Sequence, residues 1–292
     1  MILIAGGTGT VGRILVPMLL SDGLKVRVLT RSQDSAAKLR ALGVETVLGD
    51  AGRDGELRDA VSGCGAIVSA MSGFGPTSGS SPDAVDRSGN IALMDAAAAA
   101  GVKRFVLFSI RGAAPDSPLP LARCKFAAEQ HLKNSPLAWT ILRPTTILET
   151  FASVLRDSLN QRGAAVIFGR GDRPINFVSA ADLAAAARLA LRDPGLISAE
   201  LELKGPENLS LNELAELLIA QCGSGRMLHL PLPMLRALAA LATVAAPAWG
   251  RMLRTAVLMC TTDMSCDLEP DSHPGLKLTM TPASQALAAA IP

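Results

Sequence analysis

The 292-residue sequence predicts a doubly wound α/β fold, with a parallel sheet between two layers of helices and a small C-terminal lobe. Two observations support this fold class. Short apolar stretches alternate with longer helical stretches from residue 2 to about residue 142, which is the rhythm of right-handed βαβ units. The apolar stretches are hydrophobic along their whole length, as expected of strands that are covered on both faces.

The elements of the first half follow from this alternation. Strands are predicted at residues 2–5, 25–30, 44–48, 66–70, 104–108 and 138–142. Helices are predicted between them, at residues 11–21, 35–42, 54–62, 83–100 and 119–134, and Gly101 supplies a C-terminal stop for the fourth of them. Residues 71–82 are rich in Gly, Ser and Pro and are predicted to form a loop.

The alternation loosens in the second half. Helices are predicted at residues 147–161, 180–192 and about 210–220, where Ser210 and Glu213 have the spacing of a capping box, with one or two more within 234–259. Short strands are predicted at residues 165–168 and 201–203. We therefore expect a single domain over residues 1–292, with its core at about 1–145 and 163–203. The substrate-covering lobe is expected at about 146–162 and 204–292.

Composition excludes several classes of function. The 28 basic and 26 acidic side chains leave a net charge of +2, which gives no electrostatic case for nucleic-acid binding. Three histidines and five cysteines lie far apart, so we expect no metal site and a reducing, cytoplasmic location. The apolar stretch 228–248 is interrupted by Arg236 and three prolines, so no membrane span is expected.

A glycine-rich turn follows the first predicted strand and opens the first helix. Gly7, Gly9 and Gly12 match G-x-G-x-x-G, and Gly6 allows an equivalent spacing. The early glycines permit a tight turn, Gly9 lets the backbone approach a diphosphate, and Gly12 lets the helix pack closely on the strand. The helix N-terminus adds free N–H groups and a positive dipole end. This context predicts a Rossmann-type dinucleotide site; the alternative is a glycine turn without a ligand.

The end of the second strand favours NADP(H) over NAD(H). Proteins that bind NAD usually place Asp or Glu there to hold the ribose 2′-hydroxyl, but this chain has Thr30, Arg31 and Ser32. Arg31 can pair with a 2′-phosphate, and Arg13 is a second candidate; the alternative is two ordinary surface arginines. Asp50 follows the third strand, where it can accept from the adenine amino group or cap a turn.

These residues resemble the atypical short-chain dehydrogenase/reductase superfamily, particularly its NmrA-like, NAD(P)H-binding branch. The resemblance spans about residues 1–192 and is carried by ILIAGGTGTVGR at 2–13, VRVLTRS at 26–32, WTILRP at 139–144 and INFVSAADLA at 175–184, with further matches at 49–50, 89–109 and 125–129. It implies cofactor contacts at Gly6, Thr8, Gly9, Thr10, Val11, Gly12, Arg31, Ser32, Asp50, Ala70, Met71, Ser109, Lys125 and Pro144.

One departure from the larger family bears on catalysis. Its typical members carry Y-x-x-x-K, in which tyrosine donates the proton. Aligning that lysine with Lys125 puts Leu121 at the tyrosine position, and the chain contains no tyrosine at all. General acid catalysis by tyrosine is therefore impossible here, although several NmrA-like and quinone-reductase-like relatives also lack it.

Three residues remain as candidates for the chemistry. Lys125 can contact the cofactor ribose or donate a proton, or it is a surface lysine paired with Glu129 at i+4. Ser109 can orient a carbonyl, and Arg111 can hold a polar substrate; the alternatives are loop capping and a surface ion pair. For Cys124, a buried structural role is favoured over a reactive thiol.

These features leave three functional hypotheses. The first is an NADP(H)-dependent oxidoreductase that transfers hydride to a small apolar carbonyl, enone or quinone, in a pocket walled by residues 72–81, 147–153 and 230–258. The second is a non-catalytic NADP(H)-binding sensor or assembly factor with a regulatory protein partner. The third is an isomerase or epimerase that uses bound dinucleotide. A homodimer is compatible with each of them.

Overall fold

The computed structural model describes residues 1–51, 54–74, 81–268 and 278–289. Its strands are β1 Ile2–Ala5, β2 Val26–Thr30, β3 Glu45–Leu48, β4 Ala66–Ser69, β5 Arg104–Phe108, β6 Ala138–Pro144, β7 Thr146–Ile147, β8 Ala164–Phe168, β9 Ile175–Val178, β10 Ala199–Leu203, β11 Asn208–Leu209 and β12 Arg226–Leu230. Seven of them form one parallel sheet in the order β10-β6-β5-β4-β1-β2-β3. The predicted doubly wound α/β fold is confirmed.

Helices connect these strands and cover the sheet. They are α1 Gly12–Ser21, α2 Gln33–Ala41, α3 Asp54–Val61, α4 Asn90–Ala99, α5 Pro120–Lys133, α6 Leu148–Arg162, α7 Ala180–Arg192, α8 Leu211–Cys222, α9 Leu232–Ala245, α10 Pro247–Thr261 and α11 Ala283–Ala289. A π-helical segment, Asp83–Gly89, leads into α4, and a short 3₁₀ turn, Pro194–Leu196, precedes β10. Within the described ranges, no helix is long and apolar enough to cross a bilayer.

The two faces of the sheet carry separate cores. Side chains of a strand alternate between faces, so Ile4 of β1 packs with α1 and α7, whereas Leu3 packs with α3, α4 and α5. Both side chains are completely buried. Burial on both faces explains why β1 is apolar along its whole length, and it leaves the ends of such strands as the place where polar groups collect.

A third core lies in the C-terminal part, where α6, α8 and α11 pack on β8 and β9. Asp182 at the start of α7 accepts hydrogen bonds from the backbone N–H and the hydroxyl of Thr281, at 2.7 and 2.8 Å. This contact ties the chain before α11 to the start of α7. The domain boundaries given above remain predictions.

Several elements differ from the predicted ones. The helix predicted over residues 83–100 begins with the π-helical segment, because the Asn90 side-chain amide donates to the carbonyls of Val85 and Asp86 at 3.2 and 3.0 Å and holds a wider turn. β7, β9, β11, β12 and α11 were not predicted. In the predicted loop 71–82, residues 71–74 have no regular structure, and residues 75–80 lie outside the described residues.

Candidate functional site

The candidate site is a cavity of about 1040 Å³ at the carboxyl ends of the sheet strands. Its lining joins the glycine turn after β1 to the residues that follow β2 to β6, and α10 closes the far side. β1 lies between β2 and β4, so the chain reverses its winding direction at this edge. Ligands of doubly wound sheets bind at such a switch point, and the volume is at the upper end of the range for ligand pockets.

The glycine turn is held so tightly that two of its positions exclude a side chain. Gly6 has φ of +89°, and a Cβ there would lie 2.5 Å from the Ala70 carbonyl oxygen at the end of β4. A Cβ on Gly12 would overlap the Gly6 carbonyl oxygen. The described part of the chain supplies no hydrogen-bond acceptor for the backbone N–H groups of Thr10 and Val11, just before α1. These donors and the helix dipole form an anion site.

Arg31 and Asp50 lie together at the carboxyl ends of β2 and β3. Both line the cavity, and the Arg31 guanidinium is 3.8 Å from the Asp50 carboxylate. The neighbouring predicted contacts lie elsewhere: Ser32 caps α2 by accepting from the Ser35 N–H, and Arg13 donates to the Thr8 carbonyl at 2.8 Å. Neither Ser32 nor Arg13 lines the cavity, so among the described residues Arg31 is the cation that lines it at this end.

Ser109 follows β5 and is 2% exposed. Its Oγ has no hydrogen-bond partner within the described ranges, and the residue lines the cavity. A buried hydroxyl without a partner is costly unless a ligand or water satisfies it. Ser109 is therefore a donor and acceptor available to a bound molecule.

Lys125 of α5 is buried, and its ammonium group faces three protein oxygens. Nζ lies 2.9 Å from Asp86 Oδ1 and donates to the carbonyls of Met71 at 3.0 Å and Phe108 at 2.8 Å. The alternative of a surface lysine paired with Glu129 is wrong, because Glu129 forms a bidentate pair with Arg143 instead. Through these contacts, Lys125 joins the chain after β4 and the end of β5 to the π-helical segment.

Asp86 is the residue that the sequence interpretation missed. It is completely buried, and while Oδ1 faces Lys125, Oδ2 accepts from the Gly73 N–H at 2.8 Å. It therefore fixes the chain that leaves β4 along the cavity. The segment contains two acidic residues, Asp83 and Asp86, and nothing in the sequence distinguishes the buried one from the exposed one.

The remaining predicted contacts are distributed along the cavity. Ala70, Met71 and Pro144 line its centre at the ends of β4 and β6. Arg111 also lines it, but its side chain is engaged by the Glu202 carboxylate at 3.4 Å and by the Ser265 carbonyl at 3.2 Å. This ion pair was the alternative interpretation of Arg111, and it places the residue at the rim.

The far wall is mostly apolar, although α10 and the chain after it also add Thr255, Thr262 and Asp263 to the lining. Leu121, at the position where the larger family has tyrosine, lines the cavity with Phe151, Leu258 and Met259. Phe151 is held by an edge-to-face contact with Phe177, whose ring centroid lies 5.8 Å away. The predicted wall at residues 147–153 and 230–258 therefore contributes in part, through α6 and α10.

Comparison with known proteins decides the cofactor class. A family model described as NAD(P)H-binding matches residues 6–194. The chain belongs to this NAD(P)H-binding family. The NAD(P)H azoreductase of Xenophilus azovorans is 32% identical over 223 residues, covering 76% of this chain and 74% of the relative. The photosystem II assembly factor Ycf39 of Guillardia theta is 30% identical over 216 residues, covering 74% of this chain and 68% of the relative.

A solved structure agrees with this assignment. The NADPH-dependent quinone oxidoreductase of Escherichia coli, in complex with NADPH, superposes with a TM-score of 0.75 and 25% identity over 99% of each chain. The predicted resemblance is thus confirmed. In this NAD(P)H-binding protein, the chain's own groups fit a dinucleotide: the turn at Gly6 and Gly12 admits only backbone, and Ser109 offers an unsatisfied buried hydroxyl.

The thiol beside the buried lysine has no sign of activation. Burial, the largest cause, raises the pKa of the Cys124 thiol, and the nearby carboxylates of Asp83 and Asp86 raise it further. Because the thiolate is the reactive form, the direction of this shift favours the structural role expected for Cys124.

Proposed function

We propose that the protein is an NADPH-dependent reductase of a flat, apolar acceptor of the quinone, azo or enone type. The single observation that carries this proposal is the continuity of the cavity. One side is polar and built around Gly6, Arg31 and Ser109, and the other is the apolar wall with Leu121 and Met259. The sequence similarity to an azoreductase supports reductase chemistry on a flat acceptor.

The residues of the chain divide the work between binding and orientation. The N–H groups before α1 hold the diphosphate, and Arg31 binds the 2′-phosphate. NADPH, when bound, supplies a hydride. Lys125 and Asp86 hold the ends of β4 and β5, while the apolar wall excludes water. Ser109 donates a hydrogen bond to the cofactor or to the acceptor.

The cofactor choice is tested by calorimetry with NADP⁺ and NAD⁺. Arg31 is half-exposed, so we expect Arg31→Ala to weaken NADP⁺ binding by about tenfold, near the lower end for a charged hydrogen bond. Binding of NAD⁺ should not change. Arg40→Ala is the matched control, because Arg40 is an exposed arginine of α2 that bonds Thr46 outside the cavity. Equal losses for both dinucleotides contradict the assignment.

The reaction is tested by NADPH oxidation with a panel of quinones, azo dyes and enones. We expect Ser109→Ala to lower kcat by roughly ten- to a hundredfold if the hydroxyl stabilises charge on the acceptor. The Kd of NADPH should change by much less. Ser153→Ala on the exposed face of α6 is the control. Unchanged kcat in Ser109→Ala would exclude this role for Ser109, and no oxidation across the panel would exclude the reductase.

A non-catalytic NADP(H)-binding factor is the second candidate. Similarity to the assembly factor Ycf39 favours it. The absence of tyrosine also favours it, and so do the contacts of the Lys125 ammonium with three protein oxygens. Tight NADPH binding without turnover on any acceptor, together with a specific protein partner, would support this function over the reductase.

A further inference from the structure

An exposed apolar surface lies on the helical hairpin formed by α9 and α10, on the outside of the molecule. Met234, Leu238 and Leu241 follow one face of α9 and are 50%, 42% and 71% exposed. Trp249 at the start of α10 is 52% exposed. We call these four side chains the hairpin surface. Exposed apolar side chains grouped on one helical hairpin are typical of an interaction site.

The hairpin holds this surface outward by its own packing. Leu235 and Ala239, on the other face of α9, are 0% and 4% exposed. The two helices lie so close together that a Cβ on Gly250 would be only 2.7 Å from the Thr243 Cα. The hairpin surface is therefore not needed to bury the hairpin against the rest of the described chain.

The chain segment that carries the hairpin surface has charged side chains of one sign. Residues 217–262 contain no Asp or Glu, whereas they contain Arg226, Arg236, Arg251 and Arg254. Arg226, Arg236 and Arg254 are exposed. Apolar side chains with a tryptophan, flanked by arginines and free of carboxylates, match the chemistry of an anionic lipid surface.

We propose that the hairpin surface docks on an anionic lipid bilayer, with α9 and α10 lying in the plane of the interface. The helices have 14 and 15 residues, which is shorter than the roughly 20 needed to cross a bilayer. Met234, Leu238, Leu241 and Trp249 enter the acyl boundary, and the arginines contact lipid phosphates.

A second copy of this chain fits the same surface less well. A two-fold interface brings identical patches together. It would bring arginines of both copies near one another, with no carboxylate anywhere in residues 217–262 to compensate them. The bilayer, in contrast, supplies the missing negative charge.

The docking surface is continuous with the candidate site. The inner side of α10 lines the cavity through Thr255, Leu258 and Met259. Docking therefore places the cavity wall next to the bilayer. The proposal itself does not rest on the reductase chemistry, since membrane binding is measured without cofactor or acceptor.

The test is co-sedimentation of the full chain with vesicles of phosphatidylcholine alone and of phosphatidylcholine mixed with phosphatidylglycerol. We expect binding to the mixed vesicles that weakens as salt rises. Arg236→Glu changes the surface charge by two units, which lowers the affinity by about thirtyfold at roughly fivefold per charge. The double variant Leu238→Glu/Leu241→Glu should lose roughly ten- to a hundredfold per leucine.

Leu42→Glu is the matched control, because Leu42 is 64% exposed but lies at the end of α2, outside the hairpin. It should bind vesicles as the parent does, and circular dichroism checks that each variant is folded. Two results overturn the proposal. One is vesicle binding that does not depend on phosphatidylglycerol or survives the double substitution. The other is self-association that the double substitution abolishes, with no vesicle binding by the parent.

Discussion

The buried pair of Lys125 and Asp86 gives the sharpest prediction about how the site is held together. Their side chains are 4% and 0% exposed, so solvent does not screen the pair. Asp86→Asn keeps an acceptor for the Gly73 N–H but leaves the ammonium without its counter-charge. Lys125→Met leaves the carboxylate unpaired and removes the donor from two carbonyls. Each single substitution should lower the free energy of unfolding by about 3–5 kcal/mol.

The double variant decides whether this loss comes from the pair. With both charges removed, the remaining cost should be at least ~2 kcal/mol smaller than the sum of the two single losses. The assay is urea unfolding of the four proteins at neutral pH. The pair of Arg87 and Asp83 is the matched control: it lies on the same π-helical segment at 3.2 Å, but both side chains are more than half exposed. Its coupling should stay below about 0.5 kcal/mol. Additive losses for Lys125 and Asp86 would refute the reasoning.

Two further predictions concern the turn and a helix cap. Gly12→Ala places a Cβ against the Gly6 carbonyl, so it should lower the free energy of unfolding by about 1–3 kcal/mol through overpacking and weaken dinucleotide binding. Urea unfolding and calorimetry measure the two effects. Gly65→Ala is the control, because a Cβ at Gly65 meets nothing within 4 Å. Hydrogen bonds from the backbone and side chain of Ser210 lower the pKa of Glu213. The ionised carboxylate therefore stabilises the fold at pH values above its unfolded pKa. This stabilisation is lost as the pH falls through the folded pKa. The stability advantage over Glu213→Gln, which keeps the capping geometry, should be largest at neutral pH and shrink in acid; an advantage constant with pH would contradict the assigned cause.

The parts of the fold that were predictable are those fixed by local pattern. β1 to β5 were predicted within one residue at each end. For β1 and β5 the reason is that a strand buried on both faces is apolar along its length. The turn at Gly6 and Gly12 was identifiable because a strand, a turn and a helix follow one another directly along the chain. β6 runs on to Pro144, two residues past the predicted end, where it pairs with Leu203 of β10.

The unpredicted parts depend on partners distant in sequence. β12 pairs with β8, some sixty residues earlier, and β7 and β11 have two residues each, too few to show a period. The same holds for the site. Glu129 is four residues from Lys125, which suggests a local pair, but Lys125 pairs with Asp86 and Glu129 pairs with Arg143, each on another element. Which carboxylate meets which cation is decided by the packing of the helices, and no spacing rule contains that information.

In the proposed reductase, the Lys125 ammonium, which already contacts three protein oxygens, and the aliphatic Leu121 would restrict which acceptors can be reduced. Hydride transfer to a simple ketone produces an alkoxide, a strong base that needs an acid in the site. A quinone yields a phenolate, which is a weaker base than an alkoxide because a phenol ionises near pH ~10. Water or a hydroxyl such as that of Ser109 can therefore supply the hydrogen bond or proton that the phenolate needs. We therefore expect kcat/KM for quinones to exceed that for ketones of similar size by about a hundredfold or more, the lower range for general acid catalysis.

The substitution Leu121→Tyr tests this argument directly, because Leu121 lines the cavity four residues before Lys125. A phenol at this position should raise the ketone rate by about tenfold or more and leave the quinone rate nearly unchanged, since only the ketone lacks an acid. Leu121→Phe has the same ring without the hydroxyl and separates acid catalysis from a change of pocket shape. Equal gains on ketone and quinone, or gains that Leu121→Phe reproduces, would show that protonation does not limit the acceptor range.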